Sequence, residues 1–241
     1  MSNPVPARAR GLSGAALKGL AVLSMTIDHA AAVLLQNGAA CAGRPALAGL
    51  YLACRGVGRL AFPIFCFLLA QGFVHTASRR AYAWRLAVFA LASEAVFDLA
   101  IFGTPWYPGY QNVFFTLLLG LLALWSLHAP NPALHWVGPP ACVLAAGWLH
   151  TDYGSYGVLL ILALSLWRKN RPAALALAAA AVLLHCAWNS YWPGAAALFA
   201  LLPIAAYNGA RGRALPKYAF YLYYPLHLLA LCLLRRALGL G

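Results

Sequence analysis

The sequence predicts an all-α, polytopic membrane bundle of about nine transmembrane helices, with its N-terminus in the cytoplasm. Three observations carry that expectation. Hydrophobic residues make up 63% of the chain and charged ones 9%, against about 25% charged in a typical soluble domain. Apolar runs approaching the roughly 20 residues needed to cross about 30 Å of hydrocarbon recur along the chain. The net charge of +13 gathers in short connections: Arg8, Arg10 and Lys18; Arg79 and Arg80; Arg168, Lys169 and Arg171; Arg211, Arg213 and Lys217. Intervening connections such as 103–111 and 150–152 hold no Lys or Arg. That alternation is the positive-inside pattern and accounts for the charge without a nucleic-acid partner. Arg235 and Arg236 are its exception. The expected organisation is a basic cytoplasmic segment, 1–16, followed by one transmembrane domain, 17–241. The first apolar segment reads as a retained span rather than a signal peptide.

The first span, 17–36, places Asp28 beside His29 in an apolar stretch. A charge at the centre of a span costs roughly 2.5 to 3.5 kcal/mol on insertion scales, so such a residue marks a functional position. His29 lies about 16 Å deeper than Lys18 by helix rise, near the midplane. Neighbours on a helix point about 100° apart, so Asp28 cannot orient that ring, and an orienting carboxylate is expected from another helix. The second span, 58–75, and the third, 82–102, bring Arg55 and Arg59, and Glu94 and Asp98, each pair spaced i,i+4 on one helix face. Counted from the turn between the spans, Arg59 and Asp98 both lie roughly 29 Å away, which predicts a cross-helix ion pair.

The fourth and fifth spans are 112–128 and 133–149. Asp152 precedes the sixth, 153–167, where Asp is a favoured N-cap. The seventh, 172–188, contains an alanine-rich stretch whose small residues let helices approach closely. The eighth, 194–207, stops at Tyr207-Asn208-Gly209, residue types that accept the left-handed conformation ending helices. The ninth, 218–238, opens with Tyr218, Tyr221, Tyr223 and Tyr224 as an interfacial belt, with His227 farther in, while Trp106, Trp148, Trp188 and Trp192 ring the opposite edge.

The six cysteines form no CxxC pair, and the histidines lack metalloprotease spacing, so no metal is expected. Cys41 and Cys54 are the pair considered for a disulfide. No glycine-rich phosphate loop, GxSxG elbow or internal repeat occurs, which leaves isolated polar residues to carry any chemistry.

Several stretches, LKGLAVLSMTIDH, GRLAFPIFCFLLAQGFVHT, RLAVFALASEAVFDLA, QNVFFTLLLGLLAL, DYGSYGVLLIL, YNGARG and KYAFYLYYPLHLL, resemble in order those of the TraX family. The resemblance implies a multi-pass protein of the bacterial inner membrane that uses acetyl-CoA to acetylate the N-terminus of a conjugative pilin. Lys18 followed by His29 is also similar to the Arg-x10-His pattern of membrane acyltransferases that acetylate sugars, with Lys18 in place of the arginine. Gln71 stands where TraX relatives commonly show Glu, so it is assigned no acid-base work.

Acetyl transfer needs a base for the attacking amine or hydroxyl and donors for the oxyanion. Histidine, with an unperturbed pKa near 6.5, suits the first task, and His29 is the expected base, with Asp28 and Asp98 grouped with it. Lys18, Arg85, Tyr207, Asn208, Gly209 and Tyr224 are expected on the acetyl-CoA side. Arg59, Glu94, Asn112, Asp152 and His227 are expected on the side of the pilin or other envelope acceptor, with membrane lipid around the bundle. Three other readings stay open: O-acetylation of a glycan or small molecule, a proton-coupled transporter that uses Asp28, His29, Glu94 and Asp98 as a relay, and a scaffold without turnover. Oligomeric state is not legible in apolar spans.

Overall fold

A computed structural model describes residues 11–35, 40–213, 216 and 218–240. Arg8, Arg10, Gln36 and Lys217, and with them most of the 1–16 segment, lie outside the described residues. Among the described residues every regular element is helical: α1 Gly14–Leu34, α2 Pro45–Gly58, α3 Ala61–His75, α4 Arg79–Phe102, α5 Val113–Leu127, α6 Pro132–Trp148, α7 Gly154–Ser165, α8 Arg171–Trp188, α9 Leu201–Ala205 and α10 Ala219–Ala237. Each of the nine expected spans meets a helix, and α2 is an addition. Local chemistry starts many of them. Ser13, Ser78, Asn112, Asn131 and Asn170 accept first-turn N–H groups, each such cap contributing about 1 kcal/mol. Proline opens α2, α6 and α8, where its missing N–H costs nothing.

Among the described residues three helical stretches are long and apolar enough to cross a membrane: Gly14–Leu34, Pro45–His75 and Arg171–Trp188. With the composition, they give the chain the character of a membrane protein. The middle one joins α2 to α3 through an irregular turn at Arg59 and Leu60. Segment 192–205 is short, but its first part, Trp192–Ala200, is 3-10 helix. At about 2.0 Å of rise per residue against 1.5 Å, that winding stretches fewer residues over more depth.

The core sits on α3, buried around most of its circumference from Ala61 to Phe73 because α1, α5, α7 and α9 all pack on it. Helix α4 instead packs on α5 and α10, and α1 on α2, α3 and α10. This arrangement overturns the ion pair expected between Arg59 and Asp98, since the two helices do not meet on their charged faces. All six cysteines are free, so the Cys41–Cys54 pairing does not form.

Candidate functional site

One end of the bundle gathers the start of α1, the α3–α4 connection, the loop 206–213 and the start of α10 around a cavity of about 770 Å³. Lys18, Arg85, Arg211 and Arg213 line it together with Gln71, Tyr82, Tyr207, Gly209, Phe220 and Tyr221, and no carboxylate is among the described residues that line it. Four like charges facing one volume repel unless an anion joins them. Lys18 Nζ stands 5.1 Å over the Phe220 ring, and the Arg85 guanidinium 5.4 Å over Tyr82. Cation–π contacts of this kind hold the heads near the cavity without neutralising them.

Backbone bonds position the arginines. Leu12 N donates to Ala206 O at 2.8 Å, and Asn208 N to Leu12 O at 3.0 Å. Gly14 N and Ala15 N, at the start of α1, donate to Ala210 O and Arg211 O at 2.8 and 3.0 Å. The loop therefore occupies N–H groups a helix start leaves free. Gly209 and Gly212 hold φ of 81° and 72°, a region that favours glycine. Five of the six residues expected on the donor side stand together here: Lys18, Arg85, Tyr207 and Gly209 in the cavity wall, and Asn208 in the loop behind it. Tyr224 does not. It is buried on α10, edge-on to the rings of His29 and His227, each at 5.9 Å.

His29 lies about 22 Å along α1 from Gly14. Its Nδ1 is 2.7 Å from Nε2 of His227 on α10, and His227 Nδ1 is 2.7 Å from the Tyr223 carbonyl oxygen. The expected orienting carboxylate is thus replaced by an imidazole, and His227, expected on the acceptor side, is that partner. One turn away, Thr26 and Tyr223 join the same two helices through their hydroxyls at 2.6 Å.

The carboxylates have other partners. Arg55 donates to Asp28 at 2.7 Å, and Arg59 stands 3.6 Å from its other oxygen. Ser24 donates to Val57 O at 2.6 Å on the same contact. Gly58 allows this approach, because a Cβ there would overlap the Asp28 carboxyl. Asp28 thus orients α2 and leaves the His29 ring to His227. Asp98 accepts from Tyr107 N at 2.8 Å and closes the loop after α4, so it is no partner of His29 either. Glu94 accepts from the Asn112 backbone at 3.2 Å and from its side chain, while Asn112 also caps α5.

Asp152 does not cap α7, whose cap position is Tyr153 with φ 66° and no side-chain cap bond. Its carboxyl accepts from the Tyr110 hydroxyl at 3.0 Å, and its backbone is held by Gln111 and Thr116. Arg59 lies within its electrostatic reach. Burial pushes the Asp152 carboxyl up to about 6, against the opposing pull of Tyr110 and Arg59. The negative carboxylate and burial drive the Tyr110 hydroxyl upward. Tyr153 stacks on Phe62 with ring centroids 3.6 Å apart. Tyr110 and Tyr153 carried no signal in sequence beyond their place in polar connections. Among the described residues no group of His, Cys, Asp and Glu has the makings of a metal site.

The family profile described as TraX protein matches residues 13–235. The chain is 29% identical over 236 residues to a probable fimbrial assembly protein, FimC of serogroup H1, from Dichelobacter nodosus, a match covering 90% of this chain and 93% of that one. No solved structure matches.

Proposed function

Because the chain belongs to the TraX family, we propose that it is an inner-membrane acetyltransferase. It moves an acetyl group from cytoplasmic acetyl-CoA to the N-terminal amine of a pilin-like acceptor on the outer side, with His29 as general base. The relative's description as a fimbrial assembly protein supports the acceptor class. The observation that carries the reading is the cavity of about 770 Å³ ringed by Lys18, Arg85, Arg211 and Arg213. It suits the phosphates of coenzyme A, and its aromatic walls suit an adenine ring. The basic residues of its loops support a cytoplasmic position for this end, on the donor's side.

The remaining distance fits the donor's shape. The pantetheine arm has the backbone length of about four extended residues, roughly 14 Å, and His29 lies about 16 Å beyond Lys18 along α1. The acceptor enters from the Asp152 end, where the ionised carboxylate holds its ammonium. The ammonium first releases one proton to the solvent at that end, and the resulting neutral amine attacks the thioester carbonyl. His29 takes its proton, the tetrahedral oxyanion collapses, the C–S bond breaks and the thiolate leaves with the proton.

The test is coenzyme A release by the purified protein given acetyl-CoA and a pilin N-terminal peptide, a sugar, or no acceptor. Peptide-dependent release that falls by about 10²-fold or more in His29→Ala is expected. Equal release by both proteins sinks the assignment of the base. Release with the sugar alone moves the acceptor to a hydroxyl, and proton-linked uptake without acetylation replaces the enzyme with a transporter.

A further inference from the structure

The protons in the His29–His227 contact are fixed by what surrounds it. His227 Nδ1 lies 2.7 Å from the Tyr223 carbonyl oxygen. A carbonyl only accepts, so this nitrogen carries a hydrogen. The other nitrogen of a neutral imidazole is then an acceptor. That acceptor, Nε2, faces His29 Nδ1 at 2.7 Å. His29 Nδ1 must therefore be the donor, and its lone pair is left on Nε2. We propose that His227 is the positioning residue of the reaction, holding His29 in the Nδ1–H tautomer so that Nε2 is the basic nitrogen. The consequence rests on the acetyl-transfer reading, whereas the geometry does not.

The neighbouring contacts lock the arrangement. Thr26 donates to Val22 O at 2.7 Å, so its oxygen accepts from the Tyr223 hydroxyl. This second rung fixes the rotation of α1 against α10, because Thr26 and His29 are spaced i,i+3, and Tyr223 and His227 i,i+4. The His227 plane lies within 16° of His29 and 10° of Tyr223, and Tyr224 makes a T-shaped contact with each imidazole at 5.9 Å. Pro225 lacks an N–H and interrupts the helix ladder within the same turn.

The pair does for His29 what a carboxylate does in a Ser-His-Asp triad, setting tautomer and orientation, without introducing a negative charge. As His29 Nε2 takes the proton of the attacking amine, its Nδ1 proton is shared with His227 Nε2, and the positive charge spreads over two rings. It travels no farther, because His227 Nδ1 already donates to a main-chain carbonyl. The new N–C bond forms, the C–S bond breaks, and the proton returns through His29 Nε2 to the thiolate.

Uniform ¹⁵N-histidine labelling of the full chain in detergent reports the tautomer directly, with the His29 resonances identified by their loss in His29→Gln. The expected result is Nδ1–H for His29 in the wild type and a shift toward Nε2–H in His227→Phe. In the transfer assay, His227→Phe should lose about 100-fold in kcat with little change in KM for acetyl-CoA, and His227→Gln, whose amide oxygen again accepts from Nδ1–H, should recover at least about tenfold. Nε2–H at His29 in the wild type overturns the proposal, whatever the variants do. So does the expected tautomer with unchanged kcat in both variants. A correct tautomer in a protein that transfers no acetyl group instead overturns the function and leaves the geometry standing.

Discussion

Asp152 is held by burial, one tyrosine hydroxyl and the field of Arg59, and the balance among them makes its charge depend on pH near neutrality. Its carboxyl is raised from 3.8 to about 6 in the folded protein, so between those values the native state binds a proton that the unfolded chain has lost. Stability falls as pH rises through this window, and the cost is fully present above about pH 6. Asp152→Asn should therefore unfold at a higher temperature than the wild type at pH 7.5 and lose that advantage at pH 4, measured by thermal melts in detergent. Activity should move the opposite way. If the carboxylate holds the acceptor ammonium, kcat/KM for a peptide amine drops as pH falls through about 6, and that dependence is missing from the Asn variant. The sequence made Asp152 visible because only 4 carboxylates occur in the chain. It misassigned the residue to a helix cap, because the partner that captures its side chain, Tyr110, belongs to another connection. The same limit applied to His29. Its cost in an apolar span was legible, but an imidazole partner 198 residues away depends on how two helices are rotated about their axes, which apolar spans do not record.

At the scale of elements, the loop 206–213 and the start of α1 form one unit. Ser13 caps α1, the loop carbonyls take the N–H groups of Gly14 and Ala15, and Gly212 turns at φ 72° where a Cβ would crowd Ser13 and Ala15. Gly212→Ala meets both a backbone conformation unfavourable by roughly 1 to 2 kcal/mol and that crowding. It is expected to raise KM for acetyl-CoA several-fold, by displacing Arg211 and Arg213, while kcat at saturation changes little. A lowered kcat with unchanged KM in steady-state kinetics argues against the loop as a donor clamp. The sequence marked Tyr207-Asn208-Gly209 as a helix end and placed basic residues after it. What it could not show is that the following backbone binds the first helix. Helix α2 was missed for another reason: the Pro45–Gly58 stretch carries Arg55 and several glycines, and Gly58 alone of its residues is buried. The apolar runs made the nine other helices legible, and their order along the chain fixed which ends lie together.

For the molecule as a whole, the candidate site is assembled from the ends of the sequence. Helix α1 supplies Lys18 and His29, and α10 supplies Phe220, Tyr221 and His227. A chain stopped before Ala219 should keep most of the cavity wall yet release no coenzyme A in the transfer assay. Restoring α10 as a separate segment in the same membrane should return measurable activity; activity in the shortened chain without it would place the chemistry elsewhere. The distance between the two imidazoles along the chain also sets a clock on biosynthesis. At about 5 to 20 residues per second, the ribosome needs about 10 to 40 s to make the 198 residues separating His29 from His227. Throughout that interval the imidazole on α1 lacks its partner on α10. Under the proposed reaction, a nascent chain stays silent until α10 has been made and has docked on α1.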